Sequence, residues 1–172
     1  MILNELVKIS KSPSRWGKVR EITLLNQEEV EKLYELIKII KEDVIQFPDY
    51  GQKGKYEAES KTTRDVFVFN IVRGSKIKPK KCSYQISLES NEILFRIDLD
   101  GSPHPNPDGE IIPCPHIHVY KYDGTPYIEN WAFPLNEKLP TNPDDLAQVF
   151  IDFLKYNNVE NIPIIIPRME FT

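Results

Sequence analysis

The sequence predicts a single α+β domain over residues 1–172, with an antiparallel sheet of about five or six strands and two amphipathic helices packed on one face. Three observations carry that prediction. Short segments that alternate apolar and polar side chains follow one another from Asp65 to Tyr120, separated by Gly, Asn and Pro turn residues. Two further segments, one near each end, repeat apolar residues at the three- and four-residue steps of a helix. The length of 172 residues, 40% of them hydrophobic and 28% charged, suits one soluble core.

The elements follow in order. Leu3, Leu6, Val7 and Ile9 suit a short helix or strand, Ser10 to Trp16 a loop, and Lys18 to Leu24 a short strand. Asn26 and Glu29 have the spacing of a capping box. Val30, Leu33, Tyr34, Ile37, Ile40 and Val44 then predict one helical face that runs until Pro48 forces a boundary. Asp49 to Lys61 is polar and Gly-containing and reads as a mobile loop. Asp65–Arg73, Lys81–Ser90 and Ile93–Asp100 alternate as strands, as does the segment from His116 to Tyr120. Tyr127–Phe133 is the next expected strand. A second helix starts at a Thr141 or Asn142 cap, with Pro143, Asp144 and Asp145 suited to its first turn. Its buried stripe is Leu146, Val149, Phe150, Phe153 and Leu154, and Asn157-Asn158 suits its end. Ile162 to Ile166 reads as an edge strand limited by Pro163 and Pro167.

Composition excludes several classes. No apolar run approaches a membrane span, and the N-terminus lacks the features of an export signal, so the expectation is a cytoplasmic protein with no membrane partner. Cys82 and Cys114 are too few and too far apart for a disulfide framework. The common nucleotide-binding, hydrolase-elbow and zinc-ribbon signatures are absent. Charge is uneven: Lys53 to Lys81 holds nine basic and three acidic residues, a local +6 in a chain of net charge −4. A basic stretch on an acidic protein is compatible with RNA or another nucleic acid; it is equally the solvated edge of a sheet.

The informative stretch is Leu94 to Tyr122, which holds all three histidines. Residues two apart on a strand share a face. Arg96, Asp98 and Asp100 therefore share one face, and His116, His118 and Tyr120 share another. If the two strands pair, these polar rows fall together. Between them, Gly101 to Pro115 is a fifteen-residue loop with five prolines and a Pro107-Asp108-Gly109 turn, long enough to be functional and shaped to present His104.

Three chemistries compete for this patch. His116, His118 and Asp98 can hold a divalent metal, the one cofactor these residues suggest. Without metal, His104, His116, His118, Asp98 and Arg96 can perform acid–base catalysis on a phosphodiester, with Arg73, Lys76, Lys78, Lys80, Lys81, Tyr84 and Tyr120 binding the strand. Alternatively, the patch is a hydrogen-bonded scaffold in a module that binds a protein partner. Cys114, two residues from His116, raises the question of a thiolate nucleophile or an extra ligand.

Taken together, Arg73-Gly74, Tyr84-Gln85, LFRIDLDG at 94–101, HPNPDG at 104–109, PHIHVY at 115–120, WAFPL at 131–135 and the closing FLKYNNV resemble a family of small uncharacterised bacterial proteins, a domain of unknown function. The resemblance covers roughly residues 64 to 162. It implies a soluble bacterial protein of the kind encoded near mobile elements or defence systems, and it brings no activity to carry over. Asp100 stands where the resemblance leads one to expect Asn, and the 49–61 loop looks variable. Asp98 is therefore the better carboxylate. The combined reading is a small ribonuclease-like or nucleic-acid-processing protein, of toxin or defence type, with a non-catalytic antitoxin or inhibitor module as the alternative.

Overall fold

A computed structural model describes residues 25–90, 92–120 and 131–167. The chain is α+β, built on a seven-stranded antiparallel sheet. Its strands are β1 (Lys38–Ile40), β3 (Lys53–Ser60), β4 (Val66–Arg73), β5 (Cys82–Leu88), β6 (Ile93–Asp98), β9 (His116–Val119) and β10 (Ala132–Pro134), in that spatial order. Two small two-stranded sheets complete it: β2 (Val44–Gln46) with β11 (Ile164–Ile166), parallel, and β7 (His104–Pro105) with β8 (Ile111–Ile112). Helices α1 (Gln27–Glu35), α2 (Leu135–Lys138) and α3 (Leu146–Tyr156) are the described helices.

The core lies on one face of the large sheet. Phe67, Phe69 and Ile71 from β4, Tyr84 and Ile86 from β5, and Phe95 and Ile97 from β6 meet Val149, Phe150, Phe153 and Leu154 of α3 and Val30 and Leu33 of α1. Phe69 packs edge-on to Phe153, and Tyr34 stacks on Phe95. Fully burying a side chain of this size stabilises by roughly 1.5–3 kcal/mol, so this face holds the fold.

Two expected elements differ. The helix expected from Asn26 to Val44 keeps its capping box but ends at Glu35, and Leu36 is extended. Ile37, Ile39, Ile40, Val44 and Ile45 are β-branched, and strand pairing of β1 with β3 and of β2 with β11 outweighs the helical spacing. Lys38 completes the stop by folding its amine back onto the Leu33 and Leu36 carbonyls, at 3.1 and 2.9 Å. The expected 49–61 loop is instead largely β3, whose apolar partner is β4. Its Lys and Glu residues belong to an open sheet face rather than to a loop.

Smaller corrections concern ends. Helix α3 is capped by Asp145, which accepts from Gln148 N at 3.0 Å, three or four residues beyond the expected cap. The expected Tyr127–Phe133 strand is described only as β10, shifted toward the C-terminus, because 121–130 lie outside the described residues; so do the elements expected before Leu25.

Candidate functional site

Register places the polar rows side by side. Asp98 is paired with His116 and Arg96 with His118 across β6 and β9, on the sheet face away from α1 and α3. Ser83 of β5 stands opposite Asp98 and donates to its Oδ1 at 2.5 Å. Arg96 donates from Nε and Nη2 to Asp98 Oδ2, at 3.0 and 2.8 Å. His116 and His118 turn their Nε2 atoms toward the same oxygen, at 3.7 and 3.3 Å.

His104 arrives from the proline-rich loop. The Asn106–Glu110 turn closes β7 onto β8, with Gly109 at φ 90° in the conformation that glycine favours. Asn106 is buried, donating from Nδ2 to Ala132 O at 2.9 Å and accepting from Ala132 N at 2.8 Å. Its side chain thus stands in for a neighbouring strand on β10 and fastens the loop over the histidines. The His104 ring centre lies 4.7 Å from that of His118 and 6.0 Å from that of His116, and the latter two are 4.9 Å apart.

The cluster is enclosed but not sealed. His116 and His118 are 3% and 1% exposed, while the Arg96 and Asp98 side chains keep 26% and 19%. Burial alone would raise the Asp98 pKa. Hydrogen bonding by His116, His118 and Ser83, together with the Arg96 charge, outweighs it and holds the carboxyl well below its usual range. Nδ1 of His118 is buried with no hydrogen-bond partner among the described residues. Such an orphan costs about 1–3 kcal/mol and is the kind of atom that an ion or a bound molecule relieves. Cys114 Sγ lies 3.5 Å from His116 Nδ1. Burial, then Asp98 and Asp100, push its thiol up, so it is protonated at neutral pH and is no thiolate nucleophile.

The chain belongs to the DUF6978 family. The profile of that family, described as a family of unknown function, matches residues 25–159, most of the chain. No curated protein and no solved structure matches it.

In this DUF6978 chain the residues expected to bind a strand are scattered. Tyr84 is buried on the helix side and donates to Leu146 O at 2.8 Å. Tyr120 lies beyond the end of β9, where its ring joins the core and its hydroxyl donates to Leu25 O at 2.6 Å. The irregularity between Ile86 and Ser87, opposite Leu94, disturbs the alternation at that end of the sheet. Neither tyrosine can stack on a ligand at the histidines. Arg73 is directed to the helix side as well, over the Tyr50 ring at 4.0 Å and donating to Pro48 O. Lys80 is paired with Asp144 at 2.7 Å. Lys76, Lys78 and Lys81 are exposed, and Lys78 lines a cleft of about 460 Å³ with Asp100 and Pro115 at the border of the cluster. Asp100 itself is exposed and outside the cluster.

Ser83 and Asn106 are the site residues that sequence reasoning missed. Ser83 is visible only through the Ser83–Asp98 register. Asn106 carries a local signal, an Asn between two prolines, although its partner is 26 residues away.

Proposed function

We propose that the DUF6978 chain holds a divalent metal ion on His116, His118 and Asp98 and uses it to hydrolyse a phosphodiester bond in a nucleic acid. One observation carries this reading. The Asp98-to-imidazole separations of 3.3 and 3.7 Å are too long for charge-assisted hydrogen bonds, which run about 2.7–2.9 Å. They suit neighbouring ligands of one tetrahedral ion, which at metal–ligand distances of about 2.0–2.1 Å stand roughly 3.3 Å apart. A ligating atom from each of the three residues lies within 4.8 Å of the others. Two imidazoles and one carboxylate leave a coordination position for water, whose acidity the ion raises. Ser83 and Arg96 orient the carboxylate, as second partners of metal ligands do. His104, half-buried at the mouth, is placed to accept or deliver a proton, and Arg96 offers positive charge to a phosphate.

The near-complete burial of His116 and His118 favours a second reading in which the ion pins the His104 loop and the chain is a non-catalytic protein-binding module. Metal analysis of protein made without a histidine tag tests both. The expected result is about one zinc-like ion per chain, lost in Asp98→Asn and His118→Ala, with metal-dependent cleavage of RNA or DNA that His104→Ala abolishes while the ion stays bound. A folded chain that carries no ion and takes up none in titration overturns the metal centre. An ion-loaded chain that cleaves neither polymer leaves the binding module standing.

A further inference from the structure

We infer that the open face of the large sheet is a track that holds single-stranded nucleic acid by its backbone and leads it to the histidine cluster. This deepens the phosphodiester reading of that cluster and rests on it. The track consists of two adjacent cross-strand rows. One runs Lys55, Asn70, Gln85, Arg96, His118 and the other Lys53, Val72, Ser83, Asp98, His116, each residue in register with the next across β3, β4, β5, β6 and β9. Four strand spacings make each row roughly 19 Å long.

Charge and unmet hydrogen bonding select the occupant. Lys53 and Lys55 are exposed and make no salt bridge among the described residues. The acids that follow them on β3, Glu57 and Glu59, are both bridged by Lys41, at 2.9 and 3.0 Å. Asp98 is matched by Arg96. The surplus at the free end is therefore positive, which favours a polyanion over a neutral or acidic-facing partner. In the middle of the track Asn70 and Gln85 are directly opposite and half-buried, and their amides make no hydrogen bond among the described residues. Primary amides both donate and accept, so they suit phosphate oxygens and sugar hydroxyls. The rows contain no aromatic side chain, so bases have no stacking platform here and the backbone is the feature held.

The test is fluorescence anisotropy with a labelled 12-nucleotide uridine oligomer, its integrity checked by gel, on the full chain and two surface variants. Lys53→Glu/Lys55→Glu is expected to weaken binding at least tenfold and to lower the salt slope by about 2, one for each lost phosphate contact. Asn70→Ala/Gln85→Ala is expected to weaken it about fivefold with the salt slope kept. Lys155→Glu, on α3, serves as the control and stays within twofold. Unchanged affinity in both track variants overturns the track, as does an acidic peptide that binds the wild-type chain as tightly as the oligomer. Metal content read on the same samples separates the two proposals. Normal metal with no oligomer binding removes the track alone, whereas track-dependent binding without metal removes the metal centre alone.

Discussion

The two faces of the seven-stranded sheet are made from the same strands and obey opposite rules. Toward the helices, side chains from β4, β5 and β6 are almost entirely apolar and buried. On the other face the same strands present Asn70, Ser83, Gln85, Arg96 and Asp98, with His116 and His118 from β9. Even lysine is treated differently. Lys38 is 1% exposed, its amine over the Phe67 ring and bonded to two carbonyls, while Lys53 and Lys55 stand in solvent. One face therefore supplies stability and the other presents chemistry, and mutations should separate them.

The largest effect belongs to the covered face. Phe153 is fully buried between Phe69 and Tyr84. Phe153→Ala should cost about 3–5 kcal/mol in urea unfolding through lost transfer energy and an unfilled cavity. Metal content per folded molecule should not change, because the histidines lie beyond the sheet. A Phe153→Ala protein that stays folded but loses its ion would show that the two faces are coupled.

A smaller effect, with a sign fixed by pH, comes from the buried lysine. Desolvation pulls the Lys38 pKa down to about 8, below the value near 10.4 expected in the unfolded chain. Between those values the unfolded state binds more protons, so this group's contribution to stability rises with pH. Relative to Lys38→Met, which also leaves the Leu33 and Leu36 carbonyls without their donor, the wild-type chain should gain about 2 kcal/mol between pH 7.5 and 9.5. Parallel urea titrations of the two proteins at both pH values measure it. A constant difference would mean that the amine is solvated and the covered face less dry than its neighbours imply.

The same division explains what the sequence made legible. Alternation predicts the strands of the sheet because one face of each is buried, and it correctly assigns Arg96, Asp98, His116 and His118 to one side. It fails where burial does not set the period. The helical spacing of Val30 to Val44 is also the spacing of a helix followed by two short strands, and only long-range pairing with Ser60, Ala58 and Ile164 decides between them. Tyr120 departs from the parity of His118 because its strand has ended. Ser83 and Asn106 were beyond reach, since each acts on a partner fixed by tertiary structure: Asp98 for Ser83, the Ala132 backbone for Asn106.

The smallest expected change in stability discriminates most sharply between readings of the open face. Ser83 gives one hydrogen bond to Asp98 Oδ1, while Oδ2 is left to Arg96 and the imidazoles. Removing a single partly buried hydrogen bond costs about 1 kcal/mol, so Ser83→Ala should barely move the unfolding midpoint. If Asp98 is a metal ligand, however, the serine fixes its orientation, and losing such a partner typically costs about 10- to 100-fold in metal affinity. Competition with a chelating indicator reads that loss directly, and Ser83→Thr, which keeps the hydroxyl, should recover most of it. A purely hydrogen-bonded scaffold predicts the opposite pattern: a stability loss of the same size, with no metal affinity to lose and nothing for threonine to restore except the fold.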